Sequence, residues 1–342
     1  MTLFDVVRVP LAAPAVLTAQ KSFRKNPVIG SRRLNAIGLH RRRVSLAAAL
    51  ARRRRAALAP RLDPAERAAF DRDGIVVRND ALPQDVLSRV REELATVPRR
   101  AWEMRQGQTV NRVMPLPTGG SAVAELSRFV RRSDVRDLVG YAAGRTGHVL
   151  AMLQTIAVDP TSGGADPQAM VHADTFHPTA KFWLFLDEVG PDDGPFAYAP
   201  GSHRLTPERL AFEDESARTA ADAADPHHAA GSFRLPEERL EALGYAPLKT
   251  LTVPANTFVV ADTFGFHRRS PSARPTVRVS LYGIARRNPF HPWNGLDPMD
   301  LPLLRDHAMR LHLATEDARA RFGRRTVYRS VGPVLAGAAP AA

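Results

Sequence analysis

The chain has no cysteine in its 342 residues. Disulfides and thiolate metal sites are thereby excluded, so any bound metal has to be held by imidazole and carboxylate groups. Long apolar runs are also missing. The longest near the start, residues 11–19, contains Pro14 and falls well short of the ~20 apolar residues that a membrane-crossing helix needs. No cleavable leader pattern precedes it, and the expectation is a cytoplasmic protein, at most peripheral at the inner membrane. Acidic residues are nearly absent from one end: residues 1–62 carry 14 Lys and Arg against Asp5 alone, while the remainder carries 34 of each sign. The whole excess of +13 therefore sits in that first segment. Aromatic residues are scarce there as well, with Phe4 and Phe23 alone available to stack on bases.

What is present is enough apolar material, 44% of the residues, for one large domain with extensions. Residues 1–62 read as a basic, partly helical arm. Arg41-Arg42-Arg43 and Arg52-Arg53-Arg54-Arg55 flank residues 44–51, where Leu46 and Leu50 supply apolar positions. A basic amphipathic helix of this kind can lie on an anionic membrane surface, each cation contributing roughly 1 kcal/mol. The same cations of residues 21–61 can grip nucleic-acid phosphates, act as a transit peptide or stay solvated. The shortage of stacking aromatics favours the membrane over nucleic acid.

Beyond the arm, residues 64–73 and 84–96 have the periodicity of amphipathic helices around a strand at 74–78, and 121–144 reads as further helices. From residue 149 the pattern changes to strands broken by Gly, Pro and Asp: 149–158, 169–174, 181–187, 196–199, 250–253, 257–261 and 277–285. This predicts a mainly β fold, a double-stranded β-helix or jelly roll with flanking α-helices, over residues 63–290. Residues 206–248, rich in Ala, Glu, Asp and Arg, interrupt the strands as a helical insertion, either a lid over an active-site mouth or a helical pair outside the barrel. Residues 291–342 read as a C-terminal cover with a helix at 301–322 and a disordered Ala/Gly/Pro tail.

The chemistry is concentrated in a few residues. His172-Ala173-Asp174 places an imidazole and a carboxylate two apart, hence on one face of an extended segment. A second imidazole, His267, follows ninety-three residues after Asp174. Two imidazoles and one carboxylate on one face of a metal leave positions open, the arrangement used by non-haem Fe(II) oxygenases. Eleven residues further on comes Arg278, with Ser280 and then Tyr282 on the same face of a strand. A guanidinium fork and a nearby hydroxyl suit a carboxylate, such as C5 of 2-oxoglutarate. Arg274 competes as the anchor, but it precedes Pro275 and belongs to the turn between strands, so Arg278 is the expected residue. Two more histidines compete for the metal. His177 is expected in a loop, solvated or lining the substrate mouth, and His203 is expected to bond the backbone of its turn.

In these features the chain resembles the phytanoyl-CoA dioxygenase-like branch of Fe(II)/2-oxoglutarate oxygenases, from about residue 62 to 287. The resemblance is carried by Leu62-Asp63-Pro64, by Phe70-Asp71-Arg72-Asp73-Gly74 and the strand after it, by residues 181–189 followed by Asp193-Gly194, and by Pro200-Gly201-Ser202-His203. It implies Fe(II) held by His172, Asp174 and His267, and 2-oxoglutarate as cosubstrate on Arg278 and Ser280 with Gln154 and Trp183 beside it. O2 is the oxidant, succinate and CO2 are released, and a hydroxyl group is placed on an unactivated C–H. Asp174 matters to that outcome, since related halogenases lack the carboxylate. The sequence departs from the family at Arg268-Arg269-Ser270, where small residues are usual. The substrate is expected to be a small or amphiphilic molecule: a lipid, a lipid-linked sugar or a secondary metabolite. The alternatives are a nucleic-acid-directed oxygenase using the arm and a non-catalytic jelly-roll binding protein.

Overall fold

The computed structural model describes residues 12–340 apart from 163 and 296. Helices α1 (Arg32–Ala36), α2 (Leu39–Leu58) and α3 (Pro64–Asp73) come first. They are followed by β1 (Ile75–Arg78), α4 (Gln84–Thr96), β2 (Arg99–Gln106), β3 (Thr109–Pro115), α5 (Ala124–Arg131), α6 (Ser133–Ala142), β4 (Leu150–Val158), β5 (Ala180–Phe185) and β6 (Phe196–Tyr198). The insertion holds α7 (Pro207–Thr219), α8 (Pro226–Ala229) and α9 (Glu238–Ala242). The chain ends with β7 (Lys249–Thr250), β8 (Thr257–Asp262), β9 (His267–Arg269), β10 (Thr276–Ala285), α10 (Pro302–Arg305), α11 (Ala308–Arg321) and β11 (Arg329–Val334).

The strands form the expected jelly roll. An eight-stranded antiparallel sheet runs β1-β8-β5-β10-β4-β3-β2-β11, and a three-stranded sheet runs β7-β6-β9. Alternation along the large sheet separates its two faces. Phe182, Leu184, Leu153, Val279 and Leu281 point outward and pack beneath α4, α5 and α6 through Leu87, Val90, Leu126, Phe129 and Leu138. The residues between them point inward and line the site. Local signals explain where the elements begin. Asp63 caps α3 by accepting from the backbone N–H groups of Ala65 and Glu66, Pro64 occupies the first turn, and Gly74 at φ 81° ends the helix and turns the chain into β1.

Four expectations need correction. The segment 1–62 is not a separate arm, as far as its described residues, 12–62, show. Helix α2 is longer than the sequence suggested, and it buries His40, Arg43, Val44, Ala47, Ala51, Arg54 and Leu58 along one helical face. The face of α2 that the fold uses is a different one from that of Leu46 and Leu50: Leu46 stays exposed and Leu50 half-buried, and Arg41, Arg42, Arg52 and Arg53 stay exposed. Three of its cations bind carbonyl groups instead of water: Arg43 those of Val16, Thr18 and Gln20, Arg54 those of Gly144, Pro289 and His291, and Arg55 those of Tyr141 and Ala142. Secondly, the C-terminal tail is ordered to residue 340. β11 pairs with β2, Ala336 is buried, and Arg112 donates to the carbonyl of Ala338. Residues 341–342 lie outside the described residues. Thirdly, 169–174 is not a strand but a loop pinned by isolated bridges from His172 to Arg234 and to His267. Fourthly, residues 99–115, left without an element, form β2 and β3.

The insertion packs rather than floats. Phe212 and Ala217 of α7 join Phe233, Leu235 and Leu240 in a second core with Phe23, Ile29, Val171, Ala173 and Phe266. Within it lies a buried chain of charge: Arg209 Nη2 sits 3.0 Å from Glu213 Oε1, and Glu213 Oε2 sits 2.9 Å from His40 Nε2. Insertion and N-terminal segment therefore form one layer behind the metal-motif loop. A test of this integration is the ion pair between Arg55 and Asp262, 2.7 Å apart with the Asp262 carboxylate fully buried. Burial pushes the Asp262 carboxyl up, and Arg55 opposes that rise. Arg55→Met is expected to destabilise the protein by about 3 kcal/mol, read from a lowered urea midpoint at unchanged slope. The value sits at the low end for a broken buried pair because the backbone N–H groups of Thr179 and Phe264 still bond the carboxylate.

Candidate active site

The site is built on a crossing of two segments. His172 N–H donates to the His267 carbonyl and His267 N–H to the His172 carbonyl, both at 2.9 Å, which sets the two imidazoles side by side with ring centroids 4.4 Å apart. The Asp174 N–H donates to the Thr263 carbonyl at 2.8 Å and turns its carboxylate toward the same point. Asp174 Oδ1 lies 3.9 Å from His172 Nε2 and 3.8 Å from His267 Nε2. One donor atom from each residue falls within 4.8 Å of the others. Metal bonds of about 2.0–2.2 Å ask for donors roughly 3–4 Å apart, so the three are positioned to share one ion.

The protonation states suit that task. Each imidazole has its Nδ1 bound to a carbonyl, His172 to Met170 at 2.8 Å and His267 to Gly265 at 2.9 Å. Nδ1 is therefore the N–H, and Nε2 carries the lone pair. Both Nε2 atoms are buried without a hydrogen-bond partner among the described residues. Burial pushes the His267 imidazole down to about 4, and burial with the His267 charge holds His172 well below its ordinary value. Burial opposes ionisation of Asp174, but Lys181, His267, His172 and Arg286 outweigh it and hold the carboxyl well below the usual carboxylate range. Lys181 Nζ lies 2.7 Å from Asp174 Oδ2, which leaves Oδ1 to face the imidazoles. Neutral nitrogen donors and an ionised oxygen donor are what a divalent cation requires.

The sequence reading overlooked Lys181, although its spacing gave a signal. It alternates with Trp183 and Phe185 on β5 and is therefore an inward-facing cation among aromatics. Asn111, on a strand the sequence reading did not assign, was missed with it.

A cavity of about 370 Å³ opens in front of the His172 and His267 imidazoles, and the sheet register explains its lining. Ser280 pairs with Gln154 and Phe185, Tyr282 with Met152 and Trp183, and Arg278 with Ile156, so these side chains share the inner face. Arg278, Ser280, Gln154 and Trp183 all reach the cavity, together with Asn111, Thr109 and Arg269. Gln154 Nε2 donates to Asn111 Oδ1 at 3.1 Å. Trp183 stacks near Tyr282 and Phe196, and Phe196 lies against the His267 ring.

The two candidate anchor arginines separate cleanly. Arg274 is exposed and bound to Asp193 at 2.7 Å. Arg278 is half-buried, makes no ion pair among the described residues, and has an Nε with no partner. Burial, then repulsion from Arg269, pushes its guanidinium down to about 10, still charged at neutral pH. Arg269, in the stretch where the sequence departs from the resembled family, is occupied by Asp166 at 2.8 Å and Thr109 at 3.2 Å.

His177 and His203 are not drawn into the metal cluster. His203 packs edge-on against Phe70 rather than bonding its turn. His177 is buried, not solvated, with Nδ1 on the Pro178 carbonyl.

Residues 70–236 match the family model described as phytanoyl-CoA dioxygenase (PhyH). No curated protein sequence matches the chain. Among solved structures, the non-heme alpha ketoglutarate dependent epimerase SnoN from nogalamycin biosynthesis is 17% identical, with 69% of this chain and 93% of that one covered at a TM-score of 0.41. HygX from Streptomyces hygroscopicus with nickel, 2-oxoglutarate and hygromycin B bound is 14% identical, with coverage of 66% and 88% and a TM-score of 0.42. EctD from S. alaskensis with bound Fe is 16% identical, with coverage of 72% and 85% and a TM-score of 0.43.

The buried neutral state of His177 has a consequence for stability. Burial pushes its imidazole from 6.5 down to about 3. Below pH 6.5 the unfolded chain takes up a proton that the folded chain refuses, so stability is lost as pH falls through this window. Relative to His177→Leu, the wild type is expected to lose about 1.4 kcal/mol per pH unit between roughly pH 6 and 4 in urea titrations. A difference independent of pH would show that the imidazole is not held neutral.

Proposed function

We propose a reaction for this chain from one premise: through residues 70–236 it belongs to the phytanoyl-CoA dioxygenase (PhyH) family, and it is a 2-oxoglutarate-dependent dioxygenase. In this reading His172, Asp174 and His267 hold Fe(II), and the protein hydroxylates an unactivated C–H of a small organic substrate. The observation that carries it is the pair of buried, unpartnered Nε2 atoms beside an ionised carboxylate oxygen. Such groups are costly to bury unless a ligand completes them. When bound, the iron supplies oxygen activation coupled to oxidative decarboxylation of the 2-oxo acid, which yields succinate and CO2.

The protein's own residues do the positioning. Arg278 offers the guanidinium fork and Ser280 the adjacent hydroxyl for the distal carboxylate of 2-oxoglutarate. Gln154 and Trp183 line the path between that end and the donors, Gln154 as a polar contact held by Asn111 and Trp183 as a flat apolar wall. Lys181 keeps Asp174 ionised and oriented. Phe185, Phe196 and Tyr282 keep the chamber dry, which protects a reactive intermediate from water. The presence of Asp174 supports hydroxylation over halogenation.

The substrate in this proposal is a small molecule rather than a lipid held on a membrane. Helix α2 spends its Val44, Ala47, Ala51 and Leu58 face on the protein and leaves Leu46 as its one exposed large apolar side chain, less than the continuous apolar face an interfacial helix inserts. No helix among the described residues is long and apolar enough to cross a membrane.

Anaerobic addition of Fe(II) and 2-oxoglutarate is expected to produce a weak visible charge-transfer band, and His172→Ala to abolish it. Arg278→Gln should weaken 2-oxoglutarate binding by about 10- to 100-fold, while Arg274→Gln leaves it unchanged. A wild type without the band, or equal losses at both arginines, would overturn the assignment.

A further inference from the structure

Each backbone carbonyl from Met170 to Asp174 has a donor, and the donors come from the loop itself, β9, the insertion and the N-terminal segment. The Met170 carbonyl takes the His172 ring at 2.8 Å, that of Val171 the Leu235 N–H at 3.1 Å, and that of His172 the His267 N–H at 2.9 Å. The last two carbonyls are bound by side chains from distant segments. That of Ala173 accepts from Ser232 Oγ at 2.8 Å, and that of Asp174 from Lys21 Nζ at 2.5 Å. These carbonyls belong to the two peptide units that flank the Asp174 Cα, so both side chains bear on the carboxylate and not on the imidazoles.

Ser232 and Lys21 stand on one shared support, the end of α8. There the Gly231 N–H donates to the His228 carbonyl at 2.8 Å and the Ser232 N–H to the His227 carbonyl at 2.9 Å. The Ser232 backbone is thereby fixed, and its buried hydroxyl reaches across to Ala173, whose own N–H donates to the Phe233 carbonyl at 3.0 Å. The N-terminal segment is tied to the same helix end, since the N–H groups of Phe23 and Arg24 both donate to the Ala229 carbonyl at 3.1 Å. Gly231 makes the contact possible. It sits at φ 83°, and a Cβ there would fall 2.2 Å from the Lys21 carbonyl oxygen. Insertion and N-terminal segment therefore meet at one point and send one side chain each to the peptides on either side of Asp174.

We propose that Ser232 and Lys21 are positioning residues for the metal site: they hold the Asp174 carboxylate in register with the two imidazoles and so set the affinity for the metal. The Ala173–Asp174 peptide is gripped at both edges, by Ser232 on its carbonyl and by the Thr263 carbonyl on its N–H at 2.8 Å, and Lys21 fixes the next peptide. A buried carbonyl stripped of its donor turns toward another one. Rotation of either peptide swings Asp174 Oδ1 from its place 3.9 Å from His172 Nε2 and 3.8 Å from His267 Nε2. The imidazoles keep their places, because their reciprocal pairing passes through neither side chain. The inference rests on the reading of His172, Asp174 and His267 as metal ligands. It gives two segments that look in sequence like a lid and a basic arm a common task at the donors.

The test is calorimetric titration of the full, metal-free chain with Co(II), which requires neither 2-oxoglutarate nor substrate. Ser232→Ala and Lys21→Met are each expected to weaken Co(II) binding by about tenfold, and Ser232→Thr and Lys21→Arg to restore it. Thr155→Val is the control for lost stability alone. It deletes a buried hydroxyl that bonds the Ala336 carbonyl at the same 2.8 Å, on the outer face of β4, and should bind Co(II) as wild type does. The proposal is overturned if either Ser232→Ala or Lys21→Met binds Co(II) as tightly as wild type, if neither conservative variant restores binding, or if Thr155→Val weakens it as much as they do. The metal assignment fails separately, and this proposal with it, if the wild type binds no Co(II) or if His172→Ala binds it undiminished.

Discussion

The reciprocal backbone pairing of His172 with His267 is the constraint on which the rest of the site depends. Two hydrogen bonds join segments ninety-five residues apart in sequence. In an antiparallel ladder a mutually bonded pair presents its side chains on one face, so the pairing alone sets both imidazoles toward a common point. Asp174 is set by its own bonds, its N–H to the Thr263 carbonyl and its Oδ2 to Lys181, which hold Oδ1 toward the two imidazoles. The turn feeding His267 is held equally closely. A Cβ on Gly265 would lie 1.9 Å from Tyr198 Oη, and the Gly265 carbonyl is the acceptor that orients the His267 ring. A side chain there would displace Tyr198, the turn or the ring, and each of these reaches the donors.

Electrostatics explains why so much of the molecule is gathered around that pairing. A buried carboxylate is tolerated only with partners, and Asp174 has Lys181 at its outer oxygen and two imidazoles at the inner one. Further back, Asp262 is matched by Arg55 and Glu213 by Arg209 and His40. Two of these partners, Arg55 and His40, belong to α2. The charge excess of the N-terminal segment is thus partly an internal counter-charge, supplied to acidic groups and carbonyls around the active-site layer. Composition showed that the charge was segregated; it could not show that the segment folds back over the body.

What was legible in the sequence had a short-range signature. The candidate metal donors could be picked out because H-x-D has a fixed face relation, and Arg278 with Ser280 because the same rule operates along a strand. The helix at Pro64–Asp73 carried a cap and the helix at Gln84–Thr96 a clear apolar periodicity, and both occur where expected. The misses share a cause. β2 and β3 contain Arg99, Arg100, Glu103, Arg105 and Arg112, whose charges hid the alternation; Arg112 is in fact buried against Glu103. Helix α2 was read as an interfacial element because a buried arginine that donates to carbonyl groups looks, in one dimension, like an exposed one. The 169–174 segment was taken for a strand because isolated bridges impose strand-like facing without a ladder.

β10 shows why the fold tolerates little slack here. It is central in the large sheet, paired over nine positions with β4 and six with β5, and its inner face carries Arg278, Ser280 and Tyr282 in sequence. A slip of one residue would send all three outward and bring Val279 and Leu281 into the chamber. The outer face forbids that slip, since Leu281 and Val279 are locked among Phe182, Leu184 and the helices above them. Gly283 tightens the lock: a Cβ there would fall 2.2 Å from the Phe182 ring. The apolar core beneath the sheet therefore sets the register of the polar groups above it. The alternation that made Arg278 readable from sequence is the same property that packing enforces in three dimensions.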